Sequence, residues 1–188
     1  MKPAPLFIGL LLATSAHAQD LAPLTRDTRD TVLPVIPKVV GAMQHAVEER
    51  GTAEAIPVCR DQAPALLAAL REKTGWSIRR VSLKTRNPER GTPDAWETET
   101  LRQFDARQQA GEMPSQIERS AIVQEGGQTR FRYMKALPVA PVCTQCHGPL
   151  EQLDPVVQRS LQQHYPQDQA TGYQAGQIRG ALSVSRPL

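Results

Sequence analysis

The chain has 188 residues and a net charge of +3, which fits one domain and is too weakly basic to point to nucleic acid. Its three cysteines are an odd number, so a framework of disulfides alone does not account for them.

The opening stretch, MKPAPLFIGLLLATSAHAQD, has Lys2 near its start, an apolar run from Leu6 to Ala13, and the small residues Ala16 and Ala18 around His17. That is the layout of a secretory signal cut after Ala18. The apolar run is too short for a bilayer, which takes about 20 residues. The sequence therefore predicts a signal peptide over 1–18 and a single domain over 19–188, exported to the periplasm. Cleavage removes Lys2 and leaves a net charge of +2, with no membrane insertion afterwards.

From Thr31 to Arg50 the residues Val32, Ile36, Val39, Met43 and Val47 recur at three- and four-residue steps, one face of a helix. Pro34 and Pro37 kink or delay its start, and Gly51 ends it. A second helical segment carries Ala55, Ile56, Cys59, Ala63, Leu66, Leu67 and Leu70 and closes at Gly75. Pro64 should divide it, leaving Cys59 on a short turn before the longer helix.

WSIRRVSLKTR, 76–86, reads as a strand with a slip at Arg79–Arg80 that suits a bulge. NPERGTPD, 87–94, is a loop whose Asp94 caps a helix over 95–109. Strands at about 118–125 and 129–137 are joined by GGQ, a hairpin signal, with Phe131, Tyr133 and Leu137 on one face and Met134 on the other. A loop from Pro141 to Gly148, a helix near 150–164 and a last strand follow. In that strand Ile178, Leu182 and Val184 alternate with Arg179, Ser183 and Ser185. Helices first, then strands interrupted by helices, predict an α+β fold with an antiparallel sheet and an N-terminal helix.

Cys143-Thr-Gln-Cys146-His147 is the C-x-x-C-H attachment pattern for one covalent c-type haem. Two intervening residues let two thiols reach the two vinyl groups along one edge of the ring, and the adjoining histidine falls under the iron. Shuffling three cysteines and four histidines through the chain produces the pattern less than about once in a thousand sequences. Zinc is the structural alternative, with Cys143, Cys146, Cys59 and a histidine as ligands. Structural zinc sites carry separated ligand pairs, however, and Cys146 and His147 are neighbours. A redox dithiol would stand at a strand-to-helix start within a βαβ unit, which this motif does not.

A haem held by one histidine needs a sixth ligand or an open position, and that choice largely decides function. The candidates are His45, His164, Met43, Met113, Met134 and Cys59. Met43 and Met134 read as core, Met113 as loop, and His45 and His164 as solvated. Cys59 is the thiol the haem motif leaves over; its alternative role is a buried, inert side chain.

The segments AIPVCRDQAP (55–64), SLKTRNPERGTPDAWE (82–97), PVCTQCHG (141–148) and GQIRGALSVS (176–185) together resemble the domain-of-unknown-function family of single-haem c-type proteins with a PAS-like fold. The resemblance spreads over about residues 31–188. It implies a PAS-like antiparallel sheet flanked by helices, with Cys143 and Cys146 as the thioether cysteines, His147 as the proximal ligand and Cys59 as the distal one. Related domains serve as extracytoplasmic sensor parts of some histidine kinases. Pro34 and Pro37 depart from the family, whose first helix is long and uninterrupted.

A thiolate opposite a histidine stabilises ferric iron and lowers the potential. The expected function is redox or gas (CO or NO) sensing, with Cys59 bound in the ferric protein and able to leave in the ferrous one. The alternatives are a simple low-potential electron carrier and, further off, a small haem enzyme, for which no acid–base group stands out. A sensor of this kind, with no kinase, cyclase or membrane output segment of its own, needs a membrane sensor partner; a carrier needs a redox partner.

Overall fold

Asp20 opens the described part of the chain, residues 20–188 of a computed structural model, by capping a helix: its side chain accepts from the Ala22 amide at 2.9 Å. The signal peptide expected over 1–18 and its expected cleavage point fall outside the described residues. The capped helix, α1 (Leu21–Val32), lies upstream of the periodic segment seen in the sequence. LAPLTRDTRD marks no apolar face because Thr28, fully buried, fills one of its two buried positions. Leu33 and Pro34 form a turn, and α2 (Val35–Arg50) follows, stopped by Gly51 at φ +81°. Pro34 thus delays the start of α2 to Val35, as expected, but a separate helix precedes it. Pro37 sits in the first turn of α2, where an amide has no partner within the helix in any case.

The next helix overturns an expectation. α3 (Thr52–Thr74) runs unbroken through both Pro57 and Pro64 to Gly75, whose φ of +69° closes it. Cys59 is therefore inside a long helix and not on a turn before one. An interior proline removes a hydrogen bond and crowds the preceding turn. Here packing carries the helix across: Leu66, Leu67 and Leu70 of α3 lie against the same core as Leu33, Ile36 and Val39. The carbonyl of Ala53, which Pro57 cannot serve, accepts from Ser160 Oγ at 2.9 Å.

The sheet has four antiparallel strands in the order β1-β4-β3-β2: β1 (Ser77–Val81), β2 (Glu118–Glu125), β3 (Gln128–Pro138) and β4 (Ile178–Pro187). Gly126 and Gly127 make the hairpin turn, both with positive φ (+57° and +78°), as a turn matched to the strand twist requires. β1 pairs with β4 in continuous register, so the bulge expected at Arg79–Arg80 is absent. The two arginines simply point to opposite faces, Arg79 to Glu97 and Arg80 towards the side of Ile78.

One face carries Ile78, Phe131, Tyr133, Leu182 and Val184, covered by Val32 of α1, Val35 of α2 and the leucines of α3. The other carries Val81, Met134, Ala136 and Ala181, covered by Leu101 and Phe104 of α5 (Ala95–Gln109). Phe131, Tyr133 and Leu137 on one side and Met134 on the other match the sequence reading. α5 begins at Asp94, as expected, with a reciprocal cap: Glu97 N donates to Asp94 Oδ1 and Asp94 N donates to Glu97 Oε2, each at 2.8 Å. Between β1 and α5 lies one helical turn, α4 (Pro88–Gly91), in the segment read as a loop.

Because α5 covers the second face, β4 is buried on both sides and its alternation does not separate core from solvent: Arg179 and Ser183 are as buried as Leu182. The sheet's irregularity stands here, between Leu137 and Pro138 on β3. Leu137 faces Gly180 and Pro138 faces Ile178, so Arg179 is the extra residue on β4. Past this bulge Ile178 joins the α5 side with Ala181, while Leu182 faces the other way.

Candidate functional site

The C-x-x-C-H segment, expected as a loop, forms two short helical turns, Pro141–Cys143 and α6 (Thr144–His147). Gly148 ends them. Its amide bonds to the Thr144 carbonyl at 2.9 Å, and a Cβ there would stand 2.6 Å from that oxygen, so the chain turns away only with glycine. The segment 170–173 then clasps the motif: Gly172 N donates to Gly148 O and Tyr173 N to His147 O, both at 2.8 Å.

His147 Nδ1 lies 2.7 Å from the Ala170 carbonyl and 3.2 Å from Arg179 Nε. One nitrogen cannot donate to the first and accept from the second. The carbonyl contact is shorter and its oxygen can only accept, so Nδ1 carries the proton and Arg179 is a charge beside it. Nε2 is then the bare nitrogen, the arrangement by which metal-ligating histidines are oriented. Burial, followed by the charges of Arg86, Arg179 and Arg80, holds the His147 pKa far below its usual value. The ring is neutral at neutral pH.

All three cysteines are free thiols and half-buried. Cys146 packs against the cluster formed by Ile56 of α3 with Leu153, Val157 and Leu161, as does Tyr165. The last two leucine and valine positions belong to α7 (Pro155–His164). Burial pushes the Cys146 pKa up to about 11 against the pull of Arg86, and Cys59 is among the charges that bear on it. Cys59 lies three residues beyond Ile56, on the same side of α3, and its pKa is raised by burial and lowered by Arg86. The fold thus brings Cys59 to the motif from about eighty residues away in sequence. Three locks hold α3 to this end of the molecule: Ser160 on Ala53, Thr52 Oγ1 donating to Gln145 Oε1 at 2.8 Å, and Arg60 Nη1 donating to His164 Nδ1 at 3.1 Å.

The other candidate ligands are elsewhere or occupied. His45 is exposed beside Glu49, His164 takes the Arg60 hydrogen bond, Met113 is exposed, and Met134 is in the α5-side core. Among the described residues no three His, Cys, Asp or Glu side chains form a group able to hold a metal ion by themselves.

Three arginines surround the motif. Arg86 Nε pairs with Asp168 Oδ2 at 3.0 Å, and its Nη2 donates to the Cys146 carbonyl at 2.5 Å. Arg179 is 5% exposed; its Nη1 donates to Ser82 Oγ at 2.9 Å and to the Lys84 carbonyl at 3.0 Å, both neutral acceptors, and its guanidinium lies 5.4 Å from the Tyr173 ring centre. Burial, and then Arg80, push its pKa down to about 9, which leaves it charged at neutral pH. Arg80 is exposed, yet burial is the first cause lowering its pKa, with the Arg86, Cys143, Tyr173 and Tyr165 charges also bearing on it. A separate cleft of about 610 Å³ on the α5 side is bordered by Arg179, Tyr173, Lys84 and Asp105, and none of the cysteines or His147 lines it.

Sequence reading missed the arginines and the 170–173 clasp. Arg179 looked like the outward member of an alternating strand. The signal for it was Gly180, a glycine in the middle of a strand pattern, which marks a bulge or a close backbone approach.

A model of the Tll0287-like family matches residues 13–187. Among solved structures, the crystal structure of the cyanobacterial haem protein Tll0287 superposes with a TM-score of 0.62 at 24% identity, covering 88% of this chain and 96% of that one. At that identity the likeness concerns the fold, and the four-stranded antiparallel sheet flanked by helices is the shared feature. No curated protein matches the chain. The family match spans most of the chain, which therefore belongs to the Tll0287-like family.

Proposed function

We propose that the chain is an exported monohaem c-type protein that senses redox state or a diatomic gas. Cys143 and Cys146 form the thioether links, His147 is the proximal ligand and Cys59 the distal one. The observation that carries the reading is the orientation of His147, whose Nδ1–H on the Ala170 carbonyl at 2.7 Å leaves Nε2 free. The donor set fits: two free thiols in the attachment spacing, one oriented imidazole, and a third thiol on the helix packed against them. So does the charge. Three guanidinium groups bear on His147, and the carboxylate paired among them is that of Asp168. A haem brings two propionates to such a surplus. The family relative named as a haem protein adds weight.

Haem, when bound, would supply a one-electron Fe(III)/Fe(II) couple, with His147 and Cys59 as the side chains that would hold the iron. The rest falls to the chain. The Ala170 carbonyl holds the His147 proton away from the ligating nitrogen. Arg86 stabilises thiolate at Cys59 while burial opposes it, so Cys59 is a thiolate only while something further holds it. Once released it takes up a proton, and the α3 segment that carries it is free to shift. That shift is what a partner protein would read.

Optical and EPR spectra of the ferric and ferrous protein, with and without CO, test this. The expected result is covalent haem, a ferric thiolate signal that disappears in Cys59→Ser, and CO binding by the ferrous form only. Absence of visible absorption sinks the haem reading. An unchanged ferric spectrum and potential in Cys59→Ser sinks the role of Cys59. Reversible cycling without CO binding makes the protein a plain electron carrier.

A further inference from the structure

A buried guanidinium bonded only to neutral acceptors is costly to maintain, and the chain bends a strand to place one. Arg179 is the extra residue of the β3–β4 bulge, and bulges re-aim side chains. The bulge depends on Gly180, whose φ is +150° and whose added Cβ would lie 2.3 Å from the Val81 carbonyl oxygen. The result is Arg179 Nε at 3.2 Å from His147 Nδ1, steadied by Ser82, Lys84 and the Tyr173 ring.

We propose that Arg179 is a positioning residue that raises the reduction potential of the site from the proximal side, its fixed positive charge standing behind the imidazole of His147. The inference rests on the haem reading above. The charge acts in two ways. It disfavours the state with the extra positive charge on iron, which is the ferric one. It also draws the electron density of the imidazole towards itself and away from Nε2, and so limits the density His147 donates. Both oppose the lowering of potential by a distal thiolate, and both favour the ferrous state in which Cys59 is released. Arg179 thereby sets the threshold at which the Cys59 switch operates.

The test is a spectroelectrochemical titration of the full holoprotein as wild type, Arg179→Met, Arg179→Lys, Ser82→Ala and Arg102→Gln, with haem content read by absorption and protein mass. Loss of the charge in Arg179→Met should shift the Fe(III)/Fe(II) equilibrium at least tenfold towards ferric, 59 mV for a one-electron couple. Arg179→Lys should stay near wild type, because it keeps the charge. Ser82→Ala, which loosens the guanidinium, should shift the same way by less. Arg102, on the exposed side of α5, should have no effect. The inference is overturned if Arg179→Met titrates with the wild type, or if Arg179→Lys falls as far as Arg179→Met. If Arg179→Met does not accumulate, Ser82→Ala decides: an unchanged potential there overturns it. A wild-type protein without covalent haem refutes the underlying reading instead, and shows this before any variant is compared.

Discussion

Substituting Gly180 by alanine is the sharpest test of how β4 is built. The new Cβ would sit 2.3 Å from the Val81 carbonyl oxygen and 3.1 Å from the Ser82 Cβ, at a φ of +150°. Carbon and carbonyl oxygen come no closer than about 3.3 Å, so β1 and β4 must part by about 1 Å where they are buried between two layers of helix. Unfavourable backbone geometry contributes about 1–2 kcal/mol, and the overpacking about 1–2 kcal/mol more. The sum, about 2–4 kcal/mol, corresponds to a melting temperature lower by about 5–15 °C in a domain of this size. Gly41 provides the control. It lies in α2 with nothing within 4 Å of its added Cβ, so Gly41→Ala should stabilise by about 0.5–1 kcal/mol through helix propensity alone. Thermal and urea unfolding of the two variants against wild type is the assay. A Gly180→Ala protein that melts with the wild type would refute both the bulge and the tight β1–β4 approach.

Ser160→Ala removes the donor that serves the Ala53 carbonyl, at 2.9 Å, and should lower stability by about 1–2 kcal/mol; an unchanged urea midpoint would show that the carbonyl finds water at no cost. Glu118 joins α1 to the sheet through Arg29 and Tyr133. Burial pushes its carboxyl up, but the Arg29 and Tyr133 hydrogen bonds outweigh burial and hold the pKa below its ordinary value of 4.5. A depressed folded-state pKa means stability that is present above the unfolded value and is lost as pH falls. Stability should therefore decline between about pH 5 and 3, and Glu118→Gln, weaker at neutral pH, should decline less steeply. Parallel acid profiles would contradict this.

Helix and strand positions were legible where a single face is buried. The step pattern through Val39, Met43 and Val47, the Asp94 cap and the Gly126–Gly127 turn each rest on a local rule that tertiary packing does not override. The C-x-x-C-H pattern was legible for the same reason, since it is recognised by local spacing and not by the fold. The misses share a cause in contacts distant along the chain. Pro64 looks like a helix break until the leucine core is present to hold α3 together. Arg179 looks solvent-facing until α5 and the 170–173 segment cover β4 from the other side. Thr28 gives no apolar signal and yet fills a buried position of α1. Cys59 stood out as the leftover thiol, but only folding shows that Ile56, Leu153 and Val157 bring its helix to Cys146.

The two prolines of α3 also have a mechanical consequence. A helix usually transmits a push along its length because each turn is tied to the next. In α3 that tie is missing at two places seven residues apart, since Pro57 cannot bond to Ala53 nor Pro64 to Arg60. Cys59 rides on the stretch between them. That stretch is a cassette with a tie missing at each end, clamped on one side to α7 through Arg60 and His164. A tug on the thiol is absorbed over about two turns, leaving the C-terminal half of the helix in its leucine core undisturbed.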